Sequence, residues 1–230
     1  MTDTFDVRAG MTGVLHDRAR AWRFIADFSA YWRQPLRPGD GWSPAELEAA
    51  ERRLGLNLPA PLREAHLLFG RRTDLTSNHD TLLPPEKLYV TDGALVYRVE
   101  NQGTVSWGVT LDDLHREDPG TVMRADLADP SQERWETWES SLTVACVEMV
   151  MSETVQSPDG FTDYLEVDGE EITWEPVFQE LPDIGRDMRW FAGPDVLIRE
   201  LDGLCLQARA RTEEALDRLR ESVPGDWLNG

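Results

Sequence analysis

The stretch VYRVENQGTVSWGV, Val96 to Val109, decides how the chain is read. Leu95, Tyr97 and Val99 alternate with Val96 and Arg98, and past the polar run Glu100-Asn101-Gln102-Gly103 the alternation resumes. There Val105, Trp107 and Val109 alternate with Thr104, Ser106 and Gly108. Side chains repeat every two residues along a strand, so the pattern predicts an antiparallel hairpin with one buried face. Gly103 supplies the backbone freedom of a corner, and Asn101 tolerates left-handed geometry.

On the N-terminal side the period changes to that of helices. Leu15, Trp22, Ile25, Phe28 and Trp32 make one stripe, ended by Pro35, Pro38 and Gly39-Asp40-Gly41. Ser43, Pro44 and Glu46 then spell a capping box, with Leu47, Ala50 and Leu54 as the apolar face and Gly55 as the stop. A short helix follows through Leu62, Ala65, His66, Leu68 and Phe69 and closes at Gly70, where a loop runs to Pro84-Pro85. His66 has no carboxylate or nucleophile at a useful spacing and reads as a packed residue.

On the C-terminal side a short strand is expected near Thr121 to Arg124. Ser140 or Ser141 opens a helix with Leu142, Ala145, Cys146, Met149 and Val150 on one face. Strands are expected at Ile172 to Phe178, Met188 to Phe191, Val196 to Arg199 and Gly203 to Ala208. A last helix begins at Thr212, runs through Ala215, Leu216 and Leu219, and is stopped by Pro224-Gly225. Helices that flank hairpins, rather than alternating with strands, predict an α+β fold: a mostly antiparallel sheet with N-terminal helices packed on it. The expected organisation is a helical segment over 1–40, a core over 41–155, and a β-rich extension over 156–230 ending in a helix and continuous with the core.

A chain of 230 residues, 40% hydrophobic and with nine tryptophans, can bury a substantial core. No apolar run approaches the ~20 residues that span a bilayer. Residues 1–10 lack a basic start and an apolar signal core, so a cytoplasmic location is expected. Cys146 and Cys205 lie in apolar surroundings and are expected to be buried, reduced thiols. His16, His66, His79 and His115 are scattered without metal-ligand spacing, so neither a metal nor a cofactor is expected.

The formal charge of −20 is uneven. Residues 1–99 hold 13 acidic and 13 basic side chains, residues 100–187 hold 22 and 4, and residues 188–230 hold 8 and 6. Phosphates would be repelled by the middle segment, which argues against direct nucleic-acid binding. A solubilising face and a surface that steers a basic partner both fit the charge. No nucleophile elbow, phosphate loop, dinucleotide fingerprint or zinc-protease motif occurs, and no catalytic residues are expected. Asp112-Asp113 reads as a solvated turn and Glu170-Glu171 as a hairpin turn with its flank. Trp107, Trp135, Trp138 and Trp174 could line a groove or fill a core.

The stretch SPAELEAAERRLGLNLPAPLREAHLLFG, Ser43 to Gly70, resembles the opening of the SUKH superfamily, which includes fungal cell-wall-assembly regulators and many bacterial immunity proteins. ENQGTVSWGV, Glu100 to Val109, is similar to that family's central hairpin, and the loop GRRTDLTSNHDTLLPP also resembles members of it. The likeness spans roughly Gly41 to Val155, and Leu58, Pro59, Gly70, Asn101, Gln102, Gly103, Trp107 and Gly108 carry it as structural positions. The resemblance implies no catalysis. It implies a protein that binds and neutralises a cognate toxin, often a nuclease, by occlusion. Nucleases tend to be basic, so Asp112, Asp113, Glu117, Asp118, Glu133, Glu136 and Glu139 are the expected docking patch for a protein partner. A regulator or scaffold acting on an endogenous partner, and a small-ligand or peptide sensor with Trp107 and Tyr97 lining a pocket, are the other readings.

Overall fold

The computed structural model of the chain describes residues 5–167, 172 and 174–229. They form two units: residues 36–153, and a second in which the chain up to Pro35 joins residues 154 onward. The expected core over 41–155 is close to the first of these. The helical segment expected over 1–40 does not stand apart but belongs with the C-terminal residues.

Side chains of that segment explain the grouping. Helices α1 (Val7–Gly10) and α2 (Arg18–Trp32) are capped by Asp6 and Asp17. Phe24, Ile25, Phe28 and Trp32 of α2 are buried, whereas Trp22 and Leu15 of the expected stripe are only half-buried. The Tyr31 hydroxyl donates to Asp195 at 2.6 Å, and the Arg211 guanidinium lies 3.8 Å from the Tyr31 ring centre. Arg33 donates to the Ser157 hydroxyl. Polar and cation–π contacts therefore fasten this helix to residues far along the chain.

In the 36–153 unit, helix α3 (Pro44–Leu54) begins with the expected capping box. The Ser43 hydroxyl accepts from the Glu46 N–H, Glu46 accepts from the Ser43 N–H at 2.8 Å, and Gly55 ends the helix at φ +69°. Helices α4 (Ala60–Phe69) and α5 (Thr73–Thr76) follow. The strands are β1 (Thr81–Leu82), β2 (Tyr89–Thr91), β3 (Ala94–Val99), β4 (Val105–Thr110), β5 (Val122–Ala125) and β6 (Glu136–Thr137). All pair antiparallel in the order β1-β3-β4-β5-β6, with β2 also paired to β3. Helix α6 (Leu142–Val155), which belongs to this unit as far as Glu153, is buried at every residue, as an apolar helix in a core should be.

The hairpin has two buried faces, not one. All residues of β3 from Ala94 to Arg98 are buried. The register also shifts: Val96 pairs with Gly108, but Arg98 pairs with Trp107, so Tyr97 is the extra residue of a bulge. The bulge breaks the two-residue phase, and Arg98 shares a face with Trp107 instead of with Val96. Gly108 is needed for close approach, because a Cβ there would lie 2.9 Å from the Leu95 carbonyl oxygen.

His66 on α4 is fully buried, and both ring nitrogens lack a hydrogen-bond partner among the described residues. Burial lowers its pKa to about 4. The unfolded ring, titrating near 6.5, takes up a proton first as pH falls. This contribution to stability is therefore complete above pH 6.5 and is lost progressively down to about pH 4. The expected loss is about 3 kcal/mol over that window, and His66→Phe, compared with the parent in denaturant titrations at pH 7 and pH 4.5, should remove most of the difference.

The other unit carries β7 (Phe161–Glu166), β8 (Gln179–Glu180), β9 (Met188–Gly193), β10 (Val196–Leu201), β11 (Cys205–Ala210) and α7 (Glu213–Ser222). Its antiparallel sheet runs β7-β11-β10-β9-β8, over a core that includes Leu165, Phe191, Ile198, Leu206, Leu219 and Trp227. The strand expected over Ile172 to Phe178 is absent from the described residues of that range. Pro176 cannot donate to a ladder, and the Phe178 N–H closes a turn onto the Glu175 carbonyl. Glu170-Glu171, expected at a hairpin turn, lies outside the described residues. The class is α+β with antiparallel sheets, and both thiols are free and buried.

Candidate functional site

The chemistry gathers around Arg98, a residue that sequence reasoning placed on a strand and gave no role. Its guanidinium is 3% exposed. Nη1 donates to Glu148 at 2.9 Å, while Nη2 donates to Asp80 at 2.9 Å and to Glu153 at 3.1 Å. The Trp107 ring lies 4.6 Å from the guanidinium carbon, as their cross-strand pairing requires. One cation thus faces three buried carboxylates. Burial works against the Arg98 charge, but Glu148, Glu153 and Asp80 outweigh it and hold the group more firmly protonated than usual.

Glu153 also organises the loop before β1. The backbone N–H groups of Asn78 and His79 donate to its Oε2 at 2.6 and 2.7 Å, and that of Asp80 donates to Oε1 at 3.1 Å. Three successive N–H groups around one carboxylate form an anion nest. The Asn78 amide adds a bond to the Glu153 carbonyl. Loop, hairpin and α6 are joined at one point.

The β1–β3 register carries the arrangement to the hairpin corner. Thr81 pairs with Val99, which brings His79-Asp80 beside Glu100-Asn101. Donor atoms of His79, Asp80 and Glu100 all lie within 4.8 Å of one another. Asp80 is 7% exposed, and its Oδ1 has no hydrogen-bond partner among the described residues. Burial raises its pKa; Arg98 opposes the rise and Glu153 adds to it. The His79 side chain is 42% exposed, with Nε2 3.9 Å from Asp80 Oδ1 and Nδ1 3.0 Å from the Asn101 amide nitrogen. Sequence spacing gave no metal reading because the donors come from segments some twenty residues apart and meet only through the strand register.

Of the expected docking residues, Asp112 and Glu117 are exposed. Asp113 pairs with Arg116 at 2.7 Å, Glu133 with Arg124 at 2.9 Å, and Glu136 with Arg134 at 2.9 Å. Asp118 accepts from the Thr143 N–H in the first turn of α6. Glu139 is buried, bonded through its backbone to Thr121, and so is not part of a surface patch. The seven do not form one free acidic face, because most of them neutralise local cations or hold backbone.

Leu58 and Pro59 are buried at the start of α4, and the Gly70 carbonyl accepts from the Trp42 indole at 3.0 Å. Gly103 turns the corner at φ +76°, while Asn101 and Gln102 are exposed. Glu100 Oε2 fixes the corner by accepting from the N–H groups of Gln102 and Thr104 and from the Thr104 hydroxyl. The four tryptophans form no common groove: Trp107 meets Trp138 edge to face at 6.0 Å, Trp135 donates to the Asp92 carbonyl, and Trp174 stacks on Phe191 in the other unit. Tyr97 and Trp107 are both buried. No protein-family model, curated protein or solved structure matches the chain.

Proposed function

We propose that the chain is a non-enzymatic, cytoplasmic protein-binding module of SUKH type that docks a basic protein, acting as an immunity protein that occludes a toxin. One observation carries the electrostatic part of this reading. Residues 100–153 contain three basic side chains, Arg116, Arg124 and Arg134, and each is already in an ion pair with a carboxylate. Asp112, Asp126 and Asp129 remain at the surface with no cation against them among the described residues, and Leu111 and Leu127 are exposed beside them. Unbalanced carboxylates next to apolar side chains suit a basic protein surface and repel nucleic acid. Among the described residues no helix is long and apolar enough to cross a membrane.

Co-purification of the tagged chain with the product of the adjacent gene tests the partner. Capture of a basic domain whose toxicity is suppressed supports immunity; a partner that is not toxic moves the reading to endogenous regulation. With the partner in hand, the triple variant Asp112→Asn, Asp126→Asn, Asp129→Asn should slow association about ten-fold at low salt and flatten its dependence on ionic strength. A stopped-flow association rate indifferent to salt in the parent chain would remove the steering role.

A further inference from the structure

We propose that His79, Asp80 and Glu100 form a binding site for a divalent transition-metal ion, with Zn2+ the best match to the donor set. The proposal is independent of the partner reading above. Imidazole and carboxylate are both zinc ligands, and water can complete the four-coordinate shell.

Three observations lead to it. The β1–β3 register places the three donors at one corner of the sheet, within 4.8 Å of each other. Asp80 Oδ1 is buried, lacks a hydrogen bond among the described residues, and lies 3.9 Å from His79 Nε2. A buried carboxylate oxygen without a donor is costly, and a cation is the ligand that would satisfy it. The surrounding charge points the same way, since Asp80, Glu148 and Glu153 outnumber the single guanidinium of Arg98.

The geometry needs modest adjustment. Ligands about 2.0–2.2 Å from a tetrahedral ion lie roughly 3.4 Å apart, so the set must close by about an ångström. His79 is exposed and Glu100 half-buried, which leaves the two outer donors room to move and the ion a way in. The hydrogen bonds of the Glu100 carboxylate among the described residues all go to Oε2, so Oε1 can serve the ion without opening the corner. Asn101 stands at His79 Nδ1 and, with its amide turned, offers a carbonyl to Nδ1–H, the outer contact a metal-bound histidine normally has. Ca2+ takes six to eight oxygen ligands and fits poorly.

The full chain, stripped with EDTA and titrated with ZnCl2 by calorimetry, should bind one equivalent. His79→Ala and Glu100→Gln should each weaken binding at least ten-fold, and His115→Ala, an exposed histidine elsewhere, should leave it unchanged. Asp80→Asn keeps an acceptor for Arg98 and should remain folded by circular dichroism while losing the ion. Zn2+ should also raise the melting temperature of the parent and not that of His79→Ala. Absence of a Zn2+ isotherm, unchanged binding in His79→Ala, or Ca2+ binding at least as tightly as Zn2+ would each overturn the proposal.

Discussion

Replacing Arg98 with methionine is expected to destabilise the fold by about 3–5 kcal/mol, the usual penalty for removing one partner from a buried ion pair. Methionine fills much of the same space but leaves Asp80, Glu148 and Glu153 without the guanidinium that they share, each with a side chain no more than 9% exposed. The Trp107 ring also loses the guanidinium packed against it. Arg98→Lys should be intermediate, because a single ammonium keeps the charge but cannot span three carboxylates as the planar fork does. Guanidinium unfolding with an unchanged slope is the measurement. A loss below about 1 kcal/mol would mean that the cluster behaves like a solvent-screened surface pair.

Glu153→Gln is the second large effect, and its form is more local. The carboxylate accepts from three consecutive backbone N–H groups and from Arg98. An amide keeps one acceptor oxygen and turns an NH2 toward donors, so buried N–H groups lose their partner at about 1–3 kcal/mol each. The expected total is about 2–4 kcal/mol, with faster amide exchange at Asn78, His79 and Asp80 than in the rest of the sheet. Because Arg98 and Glu153 are in contact, the double variant should lose less than the sum of the two singles. Exchange that accelerates evenly across the sheet would show that the nest does not hold the loop in particular.

Elements written in local signals were legible. The capping box at Ser43, the stop at Gly55, the hairpin corner at Gly103 and the cap at Thr212 depend only on neighbours in the chain. Strands β1 and β2 went unread, although Asp92-Gly93, both at positive φ, is a two-residue hairpin signature between Thr91 and Ala94. Arg98 was misplaced for a physical reason. The bulge at Tyr97 inserts one residue into a pattern of period two, so alternation read straight through it assigns the wrong face. The candidate site was illegible because its residues belong to a loop, a strand and a helix that only the folded unit brings together. The acidic residues misled in the other direction: sign and number can be counted in a sequence, but the partners already occupying Glu133, Glu136 and Asp118 cannot.

The spacing of the Arg98 partners has a consequence for the chain as it is made. Asp80 precedes Arg98 by 18 residues, while Glu148 and Glu153 follow it by 50 and 55. At a synthesis rate of ~5–20 residues per second, the hairpin waits roughly 3–10 seconds for the helix that neutralises it. During that interval its apolar strands and its arginine have no finished interior to enter. The nascent unit is therefore expected to close late and all at once, with α6 as the piece that commits it, and a ribosome-bound fragment ending near residue 140 should remain open to protease where the finished unit resists.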